Sequence, residues 1–229
     1  MWKKPRPWVC VLYNSLTTKP DAPVNILVLV SGNGSNLQAI IDAQARGEFE
    51  DEKIAAGKIA AGKIAAVISD RGGAFALERA TAAEVPAFVE EPDTGLPKLE
   101  RRRELSDRLL RHCRELGIGL IVYAGFLSIL SGDIIEEYSG RMINIHPALL
   151  PKFGGEGMYG ERVHMAVLAA GETESGCTVH LVDAGTDTGP ILLQRKVPVL
   201  PGDTAASLAE RIHREEHVAI VEAVKMMLG

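Results

Sequence analysis

Only three cysteines occur in 229 residues, Cys10, Cys113 and Cys177, and they form neither an even set nor a metal-type spacing. That scarcity excludes a disulfide framework and fits a reducing compartment. The net charge of -5 leaves no broad basic face, so a nucleic-acid partner is not expected. No apolar run reaches membrane-spanning length, and no membrane is expected. The start, MWKKPRPWVCVLY, is basic, but its apolar stretch is short and proline-flanked, unlike a secretion signal. A cytoplasmic location follows as the expectation. HExxH, GxSxG and GxxxxGK[ST] are all missing. Their absence argues against a zinc hydrolase, a serine acyl-enzyme and a P-loop, and no metal is expected.

What is present suffices for a core. Hydrophobic residues make up 46% and charged residues 24%, which sets disorder aside and suits one large or two small domains. Residues 24–30, VNILVLV, form a short apolar, β-branched run. SGNGSN and LQAIIDAQA follow, giving strand, glycine turn and helix. Further strands are predicted at 64–70, 85–90, 118–125, 142–146, 177–185 and 190–199. Helices are predicted at 76–83, 98–117, 131–140, 161–171 and 203–227. Gly117 stops the second of these, Ser131 or Asp133 caps the third, and Asp203 or Thr204 stands near the cap of the last. The expected fold class is α/β: a Rossmann-like, open, mostly parallel sheet flanked by helices, with a mixed C-terminal strand extension. Residues 1–23 are expected to be an extension outside the core and 24–229 the domain. KIAAG at 53–57 and 58–62, then KIAAV at 63–67, reads as a lengthened surface connection or a glycine-frayed helix.

In such sheets ligands bind beyond the carboxyl ends of the strands. SGNGSN, AGFLSIL and NIHPALLP all begin at such ends and should meet in space. The glycine turn offers backbone N–H groups and a helix dipole to an anion. The third glycine of a dinucleotide fingerprint is replaced by Leu37, which argues against NAD. In NIHP, a strand points Asn144 and His146 to one side, and two such donors can face one developing oxyanion. A loop asparagine and a half-buried histidine are the plainer reading of the same pair. DAGTDTGPI supplies Asp183 and Asp187, either as turn caps or, for Asp187, as an acid that raises the pKa of His146. His180 is expected to support the site from behind. His112, His164, His213 and His217 fall on predicted helices and read as surface or packing residues. No cysteine has a base partner in sequence, so direct transfer between two bound substrates is favoured over a covalent intermediate.

VNILVLVSGNGSNLQAIIDA, IVYAGFLSIL, RMINIHPALLPKF and CTVHLVDAGTDTGPILLQRKVPV, in this order, resemble the phosphoribosylglycinamide formyltransferases over about residues 24–220. The resemblance implies a formyltransferase-type sheet and transfer of a formyl group from the co-substrate 10-formyltetrahydrofolate to the amine of glycinamide ribonucleotide. It places catalysis on Asn144, His146 and Asp187 and the substrate phosphate at Gly34, Ser35 and Asn36. Folate is placed against Leu127, Ser128, Ile129, Leu130 and Asn144, with Arg103 as the folate-contacting arginine and Arg101 and Arg102 beside it. A monomer or homodimer is expected. The chain departs from the family at GGEGMYGERVH (154–164), where many members carry Pro-Gly and a histidine-rich stretch. The extension and the KIAAG repeat also lack counterparts. A formyltetrahydrofolate deformylase and a noncatalytic nucleotide-binding module are the alternatives. The deformylase usually carries an N-terminal regulatory domain, for which this chain has no room.

Overall fold

The computed structural model describes residues 23–50, 53–54, 57–58 and 61–229. Residues 1–22, most of the expected extension, lie outside it. The chain runs β1 (Val24–Val30), α1 (Ser35–Ala45), β2 (Lys53–Ile54), β3 (Gly57–Lys58), β4 (Gly62–Ser69), α2 (Phe75–Ala82) and β5 (Ala87–Val89). It continues through α3 (Lys98–Glu115), β6 (Ile118–Tyr123), α4 (Asp133–Glu137), β7 (Met142–His146), α5 (Glu161–Ala169), β8 (Glu174–Leu181), β9 (Ile191–Pro198) and α6 (Ala205–Leu228).

Seven strands form one sheet in the order β5-β4-β1-β6-β7-β8-β9. β5 through β7 are parallel, and β8 and β9 add antiparallel to β7. The Rossmann-like sheet and its mixed extension are therefore as expected. Strand alternation splits the core in two. Ile26, Val28, Leu120, Val122 and Ile143 pack under Leu37 and Ile40 of α1 and Leu208, Ile212 and Ile220 of α6. Leu27, Leu29, Ile121 and Met142 turn the other way, under Leu105 and Leu109 of α3 and Ile134 of α4. With both faces covered, the inner strands are apolar throughout, which is why they read as continuous hydrophobic runs.

Three local details differ from expectation. Gly132, at φ 76°, caps α4 with no side-chain hydrogen bond, so neither Ser131 nor Asp133 does. Ser131 instead donates its N–H to Ser106 Oγ of α3 at 2.9 Å. Within the repeat, Lys53–Ile54 pairs antiparallel with Gly57–Lys58 as a small ladder, not a helix, while its third copy enters β4. Residues 55–56 and 59–60 of the repeat lie outside the described residues. β8 begins three residues earlier than the predicted 177, because Glu174, Ser175 and Gly176 pair with Pro198, Val197 and Lys196 of β9.

Helix α6 starts with a capping box. Thr204 Oγ1 accepts from Ser207 N–H at 3.1 Å, and Ser207 Oγ accepts from Thr204 N–H at 3.0 Å. Thr204→Ala is expected to lower unfolding stability by about 1 kcal/mol, read as a lower midpoint in urea at unchanged slope.

Candidate active site

The carboxyl ends of β1, β6 and β7 open on a cavity of about 760 Å³. Gly34, Ser35 and Asn36 line it from the turn after β1, and Leu127, Ser128, Ile129 and Leu130 from the segment after β6. Asn144 and His146 reach it from β7, and His180 and Asp187 from β8 and the loop beyond. Four stretches spread between residues 34 and 187 thus meet at one place. The segment after β6 is shaped by its own ties: Leu127 N–H donates to Ser31 Oγ at 2.7 Å, and Ser128 Oγ to Asp70 Oδ2 at 2.6 Å.

Asn144 and His146 share a face because they stand two apart on β7. The antiparallel register sets Asn144 opposite His180 and His146 opposite Thr178. His180 Nδ1–H donates to Leu181 O at 2.8 Å. Its Nε2 is then the acceptor for Asn144 Nδ2 at 3.1 Å. The same amide nitrogen lies 3.3 Å from Asp187 Oδ1. These two acceptors fix which end of the Asn144 amide donates. His146 Nε2–H donates to Phe153 O at 2.8 Å, and Nδ1 stands 3.5 Å from Asp187 Oδ2. Gly155 N–H donates to that oxygen at 3.0 Å. Asp187 itself sits at φ 58°, the sharply turned backbone that its Thr-Gly-Pro neighbours suggest. Asp183 follows the plainer reading, accepting from Gly185 N–H at 2.9 Å and Thr188 Oγ1 at 2.7 Å. Thr178 pins the bend after β7, donating to Ala148 O at 2.6 Å and accepting from Leu150 N–H at 3.0 Å.

The electrostatics correct one expectation. Burial pushes His146 below the ordinary imidazole value, and His180 adds to this. The Asp187 charge and the Phe153 carbonyl pull upward but do not overcome it. Burial thus favours the neutral ring, whose proton lies on Nε2 toward Phe153 O. For Asp187, burial works upward, but its contacts with the two imidazoles and the Gly155 N–H outweigh it and hold the carboxyl below its usual range.

A second correction concerns α3. Lys98, Arg101, Arg102 and Leu105 line the cavity, spaced as one helical face, and Arg103 is not among the lining residues. Arg103 is exposed, with its Cγ beside Gly132. The divergent loop reaches this helix, where Glu156 pairs with Lys98 and, at 2.9 Å, with Arg102. Sequence reasoning also passed over a polar group deeper in the cavity. Glu216 is 5% exposed, and its Oε2 lies 3.4 Å from Asn36 Nδ2 and 3.9 Å from His213 Nε2. Burial raises its carboxyl pKa against the lowering effects of His213 and Asn36. Asn36 Oδ1 and His164 Nδ1 are buried with no hydrogen-bond partner among the described residues. The available signal was Glu216 itself, a charge at the i+4 and i+8 positions of the stripe begun by Ile212 and Leu208. His164 and His213, read as surface or packing residues, line the cavity too. Among the described residues no cluster of three or more His, Cys, Asp or Glu forms a metal site, and no described helix is long and apolar enough to cross a membrane.

In a histidine-resolved NMR titration, His146 is expected to reach half-protonation below the ordinary 6.5, and burial puts His164 at about 4. Asp187→Asn removes an upward influence and should move the His146 midpoint lower still. A His146 midpoint above 6.5 would contradict the burial argument.

The Formyl transferase family profile matches residues 24–224. The chain is 44% identical over 206 residues to the trifunctional purine biosynthetic protein adenosine-3 of Drosophila pseudoobscura pseudoobscura, covering 88% of this chain and 14% of that protein. It thus spans between about one eighth and one fifth of the length of such trifunctional relatives. With the phosphoribosylglycinamide formyltransferase of Escherichia coli strain K12 it shares 39% identity over 195 residues, covering 85% of this chain and 82% of the other. The crystal structure of glycinamide ribonucleotide transformylase 1 from Geobacillus kaustophilus superposes with a TM-score of 0.76 at 36% identity, covering 91% of this chain and 100% of that one. A profile spanning the whole sheet and a relative of similar extent place this chain in the formyl transferase family, among the phosphoribosylglycinamide formyltransferases.

Proposed function

We propose that the chain transfers a formyl group from 10-formyltetrahydrofolate to the amine of glycinamide ribonucleotide, a step of purine synthesis. The observation that carries this reading is the convergence of Asn144, His146 and Asp187 on one cavity. Family membership supplies the substrates. The turn at Gly34, Ser35 and Asn36 receives the phosphate, and Asn36 and Glu216 beside it offer an amide and a carboxyl to the sugar hydroxyls. The folate lies against Leu127, Ser128, Ile129 and Leu130 and reaches Asn144. Lys98, Arg101 and Arg102 stand where Arg103 was expected, and they supply the positive charge for the folate's acidic tail.

The neutral amine attacks the formyl carbon, forming the new C–N bond as the carbonyl electrons move onto oxygen. Asn144 Nδ2 shares with that oxygen the hydrogen of its longer contact with Asp187. His146 Nδ1 takes the proton released by the amine, and Asp187 accepts the resulting N–H as a charge-assisted hydrogen bond. The imidazolium charge then faces the oxyanion. Collapse breaks the bond to the folate nitrogen, which receives the proton. His180 is a positioning residue, because its Nε2 holds the Asn144 amide in its donating orientation.

Purified protein given 10-formyltetrahydrofolate should release tetrahydrofolate only when the ribonucleotide is present, followed by absorbance. Release without the ribonucleotide would instead indicate the deformylase, and no release from folded protein would indicate a binding module. Asn144→Ala and His146→Ala are each expected to lower kcat by about a hundredfold or more. His180→Ala should lower kcat by about tenfold with both KM values near wild type, as loss of one orienting hydrogen bond predicts. If KM alone responds, the orienting role is wrong.

A further inference from the structure

Arg79 of α2 lies outside the cavity lining, yet it grips the glycine turn on both sides. Its Nε donates to Asn33 O at 2.9 Å and its Nη2 to Asn33 Oδ1 at 3.0 Å, just before the turn. Its Nη1 donates to Gln38 Oε1 at 3.1 Å, one turn into α1. Residues 34–36 hang between these two anchorages. The guanidinium itself is held, with its carbon 4.9 Å from the Phe75 ring centroid. The backbone of α2 presses on the same turn: Ala76 N–H donates to Gly32 O at 3.1 Å. A Cβ at Gly34 would stand 2.6 Å from the Cβ of Ala76, so the turn has no space to shift toward α2. Gly34 also has φ 77°, which a side chain would strain.

An anion held by backbone N–H groups depends on their convergence. Gly34 caps α1 with no side-chain hydrogen bond, so no capping side chain sets that convergence. We propose that Arg79 is a positioning residue for the phosphate of the ribonucleotide, acting through Asn33 and Gln38 to shape the 34–36 cradle without touching the ligand. This rests on the reading of the turn as the phosphate site. The planar fork matters more than the charge. Only a guanidinium reaches the carbonyl and the side-chain oxygen of Asn33 together with Gln38, and a lysine ammonium would lose two of the three contacts.

The test uses Arg79→Gln, Arg79→Lys, Asn33→Ala and the Arg79→Gln/Asn33→Ala pair, each checked by circular dichroism. KM for ribonucleotide, KM for 10-formyltetrahydrofolate, kcat and the competitive inhibition constant of inorganic phosphate are measured. Arg79→Gln and Arg79→Lys are both expected to raise the ribonucleotide KM and the phosphate inhibition constant by about tenfold, the usual effect of losing charged hydrogen bonds. kcat and the folate KM should stay within about twofold. The double variant should be little worse than Arg79→Gln, since both substitutions break the same link. Full rescue by lysine would overturn the proposal in favour of bare charge, as would additive effects of the two single substitutions. Should Arg79→Gln fail to fold, Arg79→Lys with unchanged phosphate inhibition overturns it equally. Wild-type protein that ignores inorganic phosphate would sink the phosphate reading together with this inference. Wild-type inhibition that Arg79→Gln leaves unchanged would sink this inference alone.

Discussion

The carboxylate of Asp187, on a side chain only 10% exposed, is the contact on which the site depends. Oδ1 faces the amide of Asn144, and Oδ2 faces both the imidazole of His146 and the N–H of Gly155. A charge with that little solvent persists only where several donors meet it. Here they come from β7, through the Asn144 amide, and from the loop after it, through the Gly155 N–H. Removing the carboxylate would leave the amide with one acceptor fewer and the imidazole without a partner for a second proton. The three groups therefore act as one electrostatic unit, and their protonation is better assigned to the cluster than to its members.

The sheet supplies the precision. Parallel strands bring β1, β6 and β7 to a common end, but a parallel neighbour would reach that end only through a long crossover. β8 runs back along β7 and delivers His180 across from Asn144 and Thr178 across from His146. The chain then turns through 183–189 and returns as β9, leaving Asp187 over the pair it serves. Gln194 of β9 donates to Thr178 Oγ1 at 2.9 Å and to Leu150 O at 3.0 Å, so even the outer strand braces the bend after His146.

Much of this was legible because it is local. Asn144 and His146 are two apart on a strand, and the turn after Asp187 is written in Thr-Gly-Pro. The strands of the parallel half announce themselves as apolar runs. What escaped depends on which way a helix is rotated after packing. Arg101, Arg102 and Arg103 are equivalent as letters, and only the docking of α3 through Leu105 and Leu109 selects the first two. Glu216, His164 and His213 became cavity residues when α5 and α6 settled against the glycine-turn side of the sheet. The direction of the His146 shift escaped too, because sequence displays the neighbouring acid but not the depth of burial. Arg79 escaped as well, since its partners lie 41 and 46 positions away.

The two supports that finish the site, the carbonyl of Phe153 on His146 and the N–H of Gly155 on Asp187, are both main-chain groups. Replacing the Phe153 side chain would leave its oxygen in place, so a survey by side-chain truncation can pass over these supports. Their constraint falls on the path of the backbone. Phe153 at φ 56° and Gly155 at φ 101° are the turns of that path. At Gly155 the path does fix the residue, because a side chain there would be strained, whereas the oxygen of Phe153 asks only that the chain keep its curve.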